Sequence, residues 1–392
     1  MTHPIYLDHA ATTPLRREAR QAIEPFLSEN YANASSIYQL AQVARSTIDE
    51  SRDTLARCLG ARAADLIFTS GGTEGNNAAI QGVAFARQES GRHLITAAIE
   101  HHAVLHPMQG LAERFGFELT VVPVGRDGIV DPADIRRAIR PDTTLISVMW
   151  ANNEIGTIQP IEEIAELASE CGVILHVDAV QAAGWLAIDL ARVPIDLLSI
   201  SAHKFYGPKG VGALFVRGGT PWWPVLTGGA QERNRRAGTE NVAGIVGMAV
   251  ALDLACGERE QSVMRVSDLR DGLLSDILSG VSGAHLNGAV RPRLPNNINV
   301  SFQQVHGESL LIALDLEGIM ASSGSACTSG STEPSHVLEA IGLSREEAQG
   351  SLRLTLGNEN TREEMVRVAA TLTSVVGRLR SVARPQAPVH VL

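Results

Sequence analysis

The sequence predicts an α/β fold in which a large domain with a mostly parallel central sheet is joined to a smaller α+β domain. The chain has 392 residues, and single hydrophobic cores stop growing well below this length. Between about residues 60 and 217, short β-rich runs alternate with helical patterns, which is typical of a parallel sheet covered by helices. Beyond about residue 257 the charge density rises, and this change indicates a second unit.

Each predicted strand of the large domain is a short apolar run, and several of these runs lead directly into polar residues. In open α/β sheets, ligands bind beyond the carboxyl ends of the strands, so these polar residues are candidates for a functional site. The predicted strands span residues 65–69, 93–97, 145–150, 173–177, 197–201 and 212–216.

The small domain is predicted to follow a helical connector at residues 242–256, which is rich in Ala, Val and Gly. The predicted boundaries are 14–257 for the large domain, and 1–13 together with 258–392 for the small domain. Residues 383–392 contain two prolines and no clear period, which indicates a loosely held tail. The predicted elements of the small domain are strands at 297–302, 319–322 and 351–356, and helices at 308–316 and 362–380.

Composition limits the possible functions. Hydrophobic residues make up 44% of the chain and charged residues 19%, as in ordinary compact enzymes. The net charge of -10 argues against a dominant nucleic-acid-binding surface, which needs clustered Lys and Arg. No run approaches the roughly 20 apolar residues of a membrane span and no signal peptide is visible, so no membrane partner is expected. The four cysteines form no Cys-x-x-Cys pair, which favours a reducing cytoplasm over a disulfide framework or a zinc site.

One segment, residues 201–210 (SAHKFYGPKG), supplies a hydroxyl, an imidazole and an amine directly after a predicted strand. Lys204 is a candidate for a covalent link to a carbonyl, since a partly desolvated lysine loses its proton readily. A solvated loop lysine is the alternative, and spacing alone favours it. Upstream, Asp178 follows another apolar strand, where a buried acid needs a cationic or hydrogen-bonding partner. A pyridinium nitrogen would be such a partner, and capping of a following helix is an equally good interpretation.

Two further segments follow predicted strands. Residues 70–77 (SGGTEGNN) close a strand and open a helix, where free backbone N–H groups and the helix dipole favour an anion such as phosphate. His101 and His102 follow the next strand, and an imidazole there could stack on a flat ring or transfer protons. His106 could share a helical face with His102. No carboxylate or cysteine is spaced to complete a familiar metal set, so no metal site is predicted.

Cys327 lies in residues 321–330 (ASSGSACTSG). These small residues would pack poorly in a core, and they favour a mobile loop. A thiol that must approach a substrate and then transfer the group it has taken up must be exposed, mobile and partly ionised to the thiolate. Cys58, Cys171 and Cys256 lie among apolar helical residues, and we expect them to be buried.

Taken together, these segments resemble the cysteine desulfurase family of the NifS/IscS type, which has the aspartate-aminotransferase-like fold of pyridoxal-phosphate enzymes. The resemblance covers nearly the whole chain, and so many motifs in the same order leave little room for chance. The motifs are residues 6–14 (YLDHAATTP), 68–74 (FTSGGTE), 150–154 (WANNE), 201–210 (SAHKFYGPKG), 235–241 (RRAGTEN), 322–329 (SSGSACTS) and 333–336 (EPSH).

The resemblance implies that pyridoxal 5'-phosphate is the cofactor and assigns a role to each candidate residue. Lys204 would hold the cofactor and later move the Cα proton, while Asp178 would pair with the pyridine nitrogen. Gln181 would contact the ring hydroxyl, and His101 would stack on the ring, where it could also transfer protons. The groups implied to hold the phosphate are Thr73, Ser201 and His203, with Thr239 reaching it from the other subunit of a homodimer.

The resemblance also implies the substrate contacts and the reaction. Arg353 would clamp the α-carboxylate of L-cysteine, with Asn153 and Asn33 assisting. The Cys327 thiolate would attack the substrate sulfur, so that alanine leaves and a persulfide stays on Cys327. A sulfur-acceptor protein, such as an iron–sulfur cluster scaffold or another sulfur carrier, would then take the outer sulfur.

Two rival hypotheses remain open at this point. One is another enzyme of the same fold, such as a selenocysteine lyase or a carbon–sulfur lyase that releases free sulfide. The role of Cys327 separates these enzymes from a desulfurase. The other is a non-catalytic scaffold that binds sulfur-accepting proteins, in which Lys204 would carry no cofactor.

Overall fold

The computed structural model describes residues 3–323 and 335–383. Cys327 and residues 384–392 lie outside these ranges, and the predictions for them stay predictions. The strands of the described residues are β1 (Ile5–Tyr6), β2 (Leu66–Thr69), β3 (His93–Ala97), β4 (Glu118–Val122), β5 (Thr143–Met149), β6 (Ile174–Asp178), β7 (Leu197–Ser201), β8 (Gly212–Val216), β9 (Ala284–Leu286), β10 (Asn297–Phe302), β11 (Ile319–Met320) and β12 (Ser351–Thr355).

The helices begin and end where local sequence signals favour it. Helix α6 starts at Pro132, and the Asp131 side chain accepts a hydrogen bond from the Ala133 N–H at its N-terminus. The helices of the described residues are α1 (Arg17–Ile23), α2 (Pro25–Ser28), α3 (Gln39–Leu59), α4 (Gly72–Arg87), α5 (His102–Phe115), α6 (Pro132–Ala138), α7 (Ile161–Glu170), α8 (Gln231–Asn234), α9 (Val242–Gly280), α10 (Gly307–Leu316), α11 (His336–Ala340), α12 (Arg345–Gln349) and α13 (Arg362–Ala383).

The central sheet has the strand order β2-β8-β7-β6-β5-β3-β4. Strand β8 is antiparallel to both of its neighbours, and the other pairs are parallel. The carboxyl ends of β2, β3, β5, β6 and β7 therefore meet at one edge. The predicted α/β class with a mostly parallel sheet is confirmed, and the six predicted strands are present with shifts of at most two residues at either end.

Strand β4 was not predicted. It lies at the edge of the sheet, where it pairs with β3 alone, and most of its residues are partly or fully exposed. Its sequence, ELTVV, is short and mixes polar with apolar residues, so it lacks the continuous apolar run that marks the interior strands.

A second set of strands forms the small unit. Strand β10 pairs antiparallel with β12 and β9, and β1 pairs parallel with β11. Ile5 and Leu7, near the start of the chain, are buried in the same hydrophobic cluster as residues of β10 and β12. This contact supports a small domain that includes residues 1–13.

Helix α9 continues across the predicted domain boundary at residue 257, so the predicted helical connector is present but extends well beyond residue 256. Its first half packs into the core of the large unit through residues such as Met248 and Leu252. Its second half packs into the core of the small unit through residues such as Leu269 and Leu273. We propose that the division between the domains lies inside this helix.

The prediction of three buried cysteines was wrong. Cys171 is exposed at the end of α7, and Cys58 and Cys256 are only partly buried. An apolar neighbourhood in the sequence does not determine which helical face a single residue occupies. Within residues 3–323 and 335–383, no helix is both long and apolar enough to cross a membrane.

Candidate active site

A cavity of about 290 Å³ opens at the carboxyl edge of the central sheet. It lies where several parallel strands end, which is the expected place for a ligand in such a sheet. The predicted site residues that line it are Thr73, His101, Asn153, Asp178, Gln181, Ser201, His203, Lys204 and Arg353.

Lys204 ends a single helical turn, Ala202–Lys204, directly after β7. Its amine donates hydrogen bonds to the carbonyl oxygens of Ala10 and Ala11, at 2.5 and 2.7 Å. The side chain is partly buried and lines the cavity. This position differs from that of the solvated loop lysine that spacing alone favoured.

Asp178 ends β6 and is buried. One carboxylate oxygen accepts a hydrogen bond from the Asn76 side-chain amide at 2.6 Å, and the other accepts from the Val180 N–H at 2.9 Å. The second bond closes a turn after β6, whereas the capping interpretation expected a helix there, and no helix lies in the described residues between β6 and β7. The same carboxylate also lines the cavity.

His101 caps the N-terminus of α5, where its Nδ1 atom accepts a hydrogen bond from the Ala103 N–H at 3.0 Å. In the neutral ring the proton is therefore on Nε2. Burial lowers the pKa of His101, and the nearby Lys204 amine lowers it further, while Asp178 acts in the opposite direction. The imidazole is thus held neutral at the cavity wall.

His102, next to His101, faces two other histidines. Its ring stacks on His106 with centroids 4.6 Å apart, and the His336 ring lies 4.8 Å away. The expected i, i+4 pairing of His102 with His106 is present. No group of three or more His, Cys, Asp or Glu side chains with metal-binding geometry occurs in the described part of the chain.

The N-terminus of α4 forms one end of the cavity. The first hydrogen bond inside this helix runs from the Gly75 N–H to the Gly71 carbonyl, so the N–H groups before Gly75 lie at the open end. Gly72 is required for close approach, because a Cβ atom there would lie 2.6 Å from the Val180 Cγ2 atom. Ser201 and His203 face this end, and burial together with Lys204 lowers the pKa of His203 to about 4.

Arg353 lies on β12 of the small unit, and only 1% of the residue is exposed. Its guanidinium donates to the Asn153 carbonyl at 3.0 Å and to the Asp8 carboxylate at 2.8 Å. Its Nε atom is buried and has no hydrogen-bond partner among the described residues. These contacts fix the plane of the guanidinium at the cavity and leave it capacity for a carboxylate ligand.

Two buried acids lie next to the site. Glu100 is fully buried, and burial raises its pKa well above the usual value, with Asp178 adding to the effect. Glu154 accepts a hydrogen bond from the Ser335 hydroxyl. Burial raises the pKa of Glu154 to about 7, although Ser335 and Arg353 oppose the shift.

Sequence reasoning missed the supporting roles of Asp8, Asn76 and Glu154. All three lie in motifs that were quoted, so the signal was present as residue identity. Their partners lie 345, 102 and 181 residues away along the chain, and no spacing rule connects such pairs.

Two of the predicted residues that the structure describes are not brought to the cavity. Asn33 is exposed, and its side chain accepts a hydrogen bond from the Ser35 N–H. Thr239 is exposed and lines a different depression with Ser70 and Gly238. Cys327 lies outside the described residues. Gln181 does line the cavity, and its amide donates to the Ala10 carbonyl at 3.0 Å.

The residues of the cavity fit pyridoxal phosphate. The open N–H groups of α4 and the nearby hydroxyls suit its phosphate, and Asp178 suits its pyridinium nitrogen. The side-chain oxygen of Asn76 is buried without a hydrogen-bond partner among the described residues, which indicates room for a polar ligand. The Lys204 amine is within the same cavity.

A larger opening of about 730 Å³ lies next to strands β9 and β10 and contains none of the predicted site residues. It is lined by side chains of both charges, including Arg126 and Glu347, together with apolar residues such as Phe302. The described residues that line this opening include no lysine, whereas the smaller cavity contains both Lys204 and the buried Asp178. The smaller cavity is therefore the candidate active site.

Comparisons with known proteins agree with this geometry. The family model "Aminotransferase class-V" matches residues 5–368. The cysteine desulfurase IscS of Dictyoglomus turgidum is 51% identical over 383 residues, covering 98% of this chain and 97% of that protein. The cysteine desulfurase IscS of Methanosarcina thermophila is 51% identical over 379 residues, covering 97% and 93%.

Solved structures give the same result. A structure titled "NIFS-LIKE PROTEIN" has a TM-score of 0.90 and 35% identity, and the match covers 96% of this chain and 100% of the other. A structure titled "SspA in complex with cysteine" has a TM-score of 0.79 and 36% identity, with 90% and 98% covered. The family model covers most of the chain, and the relatives are similar over nearly their full length. The chain therefore belongs to the aminotransferase class-V family.

Proposed function

We propose that the chain is a pyridoxal-phosphate-dependent cysteine desulfurase, which converts L-cysteine to L-alanine and retains the sulfur as a persulfide on Cys327. The observation that carries the proposal is the convergence of an amine, a buried carboxylate and a buried guanidinium on one cavity, from Lys204, Asp178 and Arg353. Relatives at 51% identity over nearly the whole chain are named cysteine desulfurases.

Pyridoxal phosphate, when bound, supplies an electron sink that makes the Cα proton of an amino acid acidic. The Asp178 carboxylate, oriented by Asn76 and the Val180 N–H, would keep the pyridine nitrogen protonated. The Lys204 amine would hold the carbonyl end of the cofactor and move the Cα proton. The neutral His101 ring would cover the face of the cofactor ring.

The substrate carboxylate would bind to Arg353. Asp8 and the Asn153 carbonyl already hold the guanidinium in place, so little side-chain freedom is lost on binding. A cysteine bound there would lie in the same cavity as the Lys204 amine.

Sulfur transfer then needs a second thiol, and Cys327 is the proposed nucleophile. Its thiolate attacks the substrate sulfur, the new S–S bond forms as the C–S bond breaks, and the electron pair stays on the alanine product, which takes up a proton. The glycine- and serine-rich sequence around Cys327 supports a role in which the persulfide is passed on.

We further propose that the acceptor is an iron–sulfur cluster scaffold or another sulfur carrier, and that the chain acts as a cytoplasmic homodimer. Thr239 is exposed and lies outside the cavity, which supports a contact with a neighbouring subunit. The preceding segment exposes Trp223, Val225 and Leu226, which suits burial against a second copy. Sedimentation analysis of the purified chain would test the dimer, and a monomer would contradict it.

The test of the activity uses chain reconstituted with pyridoxal phosphate and supplied with L-cysteine and a thiol reductant. We expect the bound cofactor to give an absorption band near the boundary between the ultraviolet and visible ranges. We also expect alanine and sulfide to form in equal amounts. Lys204→Ala should lose both the band and the activity. Cys327→Ser should keep the band and lose sulfur release, while the exposed Cys171→Ser serves as a matched control that keeps both.

The same experiment separates the rivals. Wild-type sulfide release by Cys327→Ser would contradict the desulfurase and favour a carbon–sulfur lyase. A chain that takes up no pyridoxal phosphate would instead favour the non-catalytic scaffold. Preference for selenocysteine over cysteine, measured as relative kcat/KM, would identify a selenocysteine lyase.

A further inference from the structure

Two cysteines that the proposed reaction does not use lie side by side on the surface of the large unit. Cys58 is near the end of α3, and Cys256 is near the middle of α9, the helix against which α3 packs. The Cys256 sulfur lies 3.9 Å from the Cys58 carbonyl oxygen, so the two cysteines are in contact across the helix pair. Both are free thiols, both are partly exposed, and neither lines the candidate active site.

The charged groups around this pair make its two members unequal. The Arg259 guanidinium lies 2.9 Å from the Cys256 sulfur. The Cys58 sulfur lies instead 3.9 Å from the Asp253 carboxylate, which also accepts a hydrogen bond from Arg57 at 2.8 Å. A guanidinium favours a thiolate beside it, and a carboxylate favours a protonated thiol.

The direction of the pKa shifts agrees with this arrangement. The neighbouring Cys58 thiol, reinforced by Arg259 and opposed by burial, lowers the pKa of Cys256 to about 7. The neighbouring Cys256 and burial raise the pKa of Cys58. Cys256 is therefore a nucleophile near neutral pH, and Cys58 is a protonated thiol beside it.

We propose that Cys58 and Cys256 form a redox-active dithiol, which reacts with low-molecular-weight disulfides and closes an intramolecular disulfide between α3 and α9. This site is separate from the cavity and from Cys327.

The reaction balances in two exchange steps. The Cys256 thiolate attacks one sulfur of the small disulfide, forms a mixed disulfide and releases one thiolate. Cys58 then loses its proton, attacks the Cys256 sulfur and releases the second small thiol. Two electrons and two protons pass from the protein to the small disulfide. The Cys256 sulfur already contacts the main chain of Cys58, and rotation of the two side chains would bring the sulfurs to the bond length of about 2 Å.

The product links helices α3 and α9 through two cysteines that are 198 residues apart in the sequence. Cross-linking residues so distant reduces the freedom of the unfolded chain. The oxidised protein should therefore melt at a higher temperature than the reduced protein.

The test uses the cofactor-loaded Cys327→Ser protein, which leaves Cys171 as the only thiol outside the pair. The protein is incubated with oxidised glutathione, alkylated, and digested with trypsin, which gives peptides 58–62 and 237–259. We expect these peptides to be joined by a reducible disulfide, with a raised Tm for the intact protein. Separate alkylation of both peptides, while Cys171 takes up glutathione, would overturn the proposal.

Variants define the order of attack. With Cys58→Ser, glutathione should remain on residue 256, and with Cys256→Ser, Cys58 should stay alkylatable. Arg259→Gln should slow the reaction roughly threefold near pH 7, since a smaller thiolate fraction is partly offset by a more nucleophilic thiolate. Because Arg259→Gln keeps both thiols, it tests the proposal even if a cysteine variant fails to fold, and an unchanged rate would contradict the assigned role of the guanidinium.

Discussion

Glu154 gives a prediction that can be worked through in free energy. The side chain is buried beside the site, and its carboxylate accepts a hydrogen bond from Ser335, whose hydroxyl also accepts from the first N–H groups of α11. Burial raises the pKa of Glu154 to about 7 from its ordinary value of 4.5. Between about pH 4.5 and pH 7, the folded state therefore keeps a proton on Glu154 that the unfolded state has released.

The sign and size of the effect follow from linkage. When folding raises the pKa of a carboxyl group, the protein is most stable below the unfolded-state pKa. The free energy of unfolding then falls as the pH rises, and the loss is complete above the folded-state pKa. A shift of about 2.5 units at about 1.4 kcal/mol per unit corresponds to roughly 3 kcal/mol. The loss should occur between about pH 4.5 and pH 7.

Glu154→Gln removes the titration and keeps the shape of the protonated acid. We expect the free energy of unfolding of this variant to be close to wild type at pH 4.5, and to exceed it by about 3 kcal/mol at pH 8. Urea unfolding of the cofactor-loaded enzyme at a series of pH values measures the difference. The exposed Glu162→Gln is the control, because its side chain lies in water away from the site. A difference for Glu154→Gln that is the same at pH 4.5 and pH 8 would refute the reasoning.

Three further predictions concern the cavity. Asn76→Leu removes the 2.6 Å hydrogen bond to the buried Asp178 carboxylate. It should lower kcat/KM in steady-state assays about 10- to 100-fold, since a hydrogen bond to a charged group is worth about 1.5–3 kcal/mol. The neighbouring Asn77→Ala is the control, and equal kcat/KM values for the two variants would contradict the role of Asn76. Arg353→Lys should raise KM for L-cysteine at least tenfold with a smaller change in kcat, because a single ammonium cannot form a bidentate clamp. Gly72→Ala should weaken cofactor affinity, measured by equilibrium titration, because the new Cβ atom meets Val180 at 2.6 Å; wild-type affinity would show that the helix can move aside.

The fold was predictable where one local pattern dominates. The interior strands β3, β5, β7 and β8 are buried along their whole length, so they appear in the sequence as largely apolar runs with polar residues at or after their ends. The edge strand β4 has no such run, and it was missed. The long helix α9 was divided because its apolar face changes partner near residue 257, and the sequence pattern changes with it.

The site was predictable in part, and mainly through resemblance. Motif identity selected Lys204, Asp178 and Arg353, and all three line one cavity. Spacing alone favoured a solvated Lys204, because the carbonyls that bind its amine belong to residues nearly 200 positions earlier. The supporting contacts of Asn76 and Glu154 are also long-range, and they depend on the three-dimensional arrangement of the sheet.

The central claim is that one cavity activates L-cysteine while the Cys327 thiol receives its sulfur. The most direct measurement is a single turnover of the cofactor-loaded enzyme with L-cysteine and no reductant, followed by alkylation and mass spectrometry of the peptide that carries Cys327. The account predicts that this peptide gains the mass of one sulfur atom for each alanine formed. Alanine formed in equal amount, with no sulfur gained at Cys327, would contradict it.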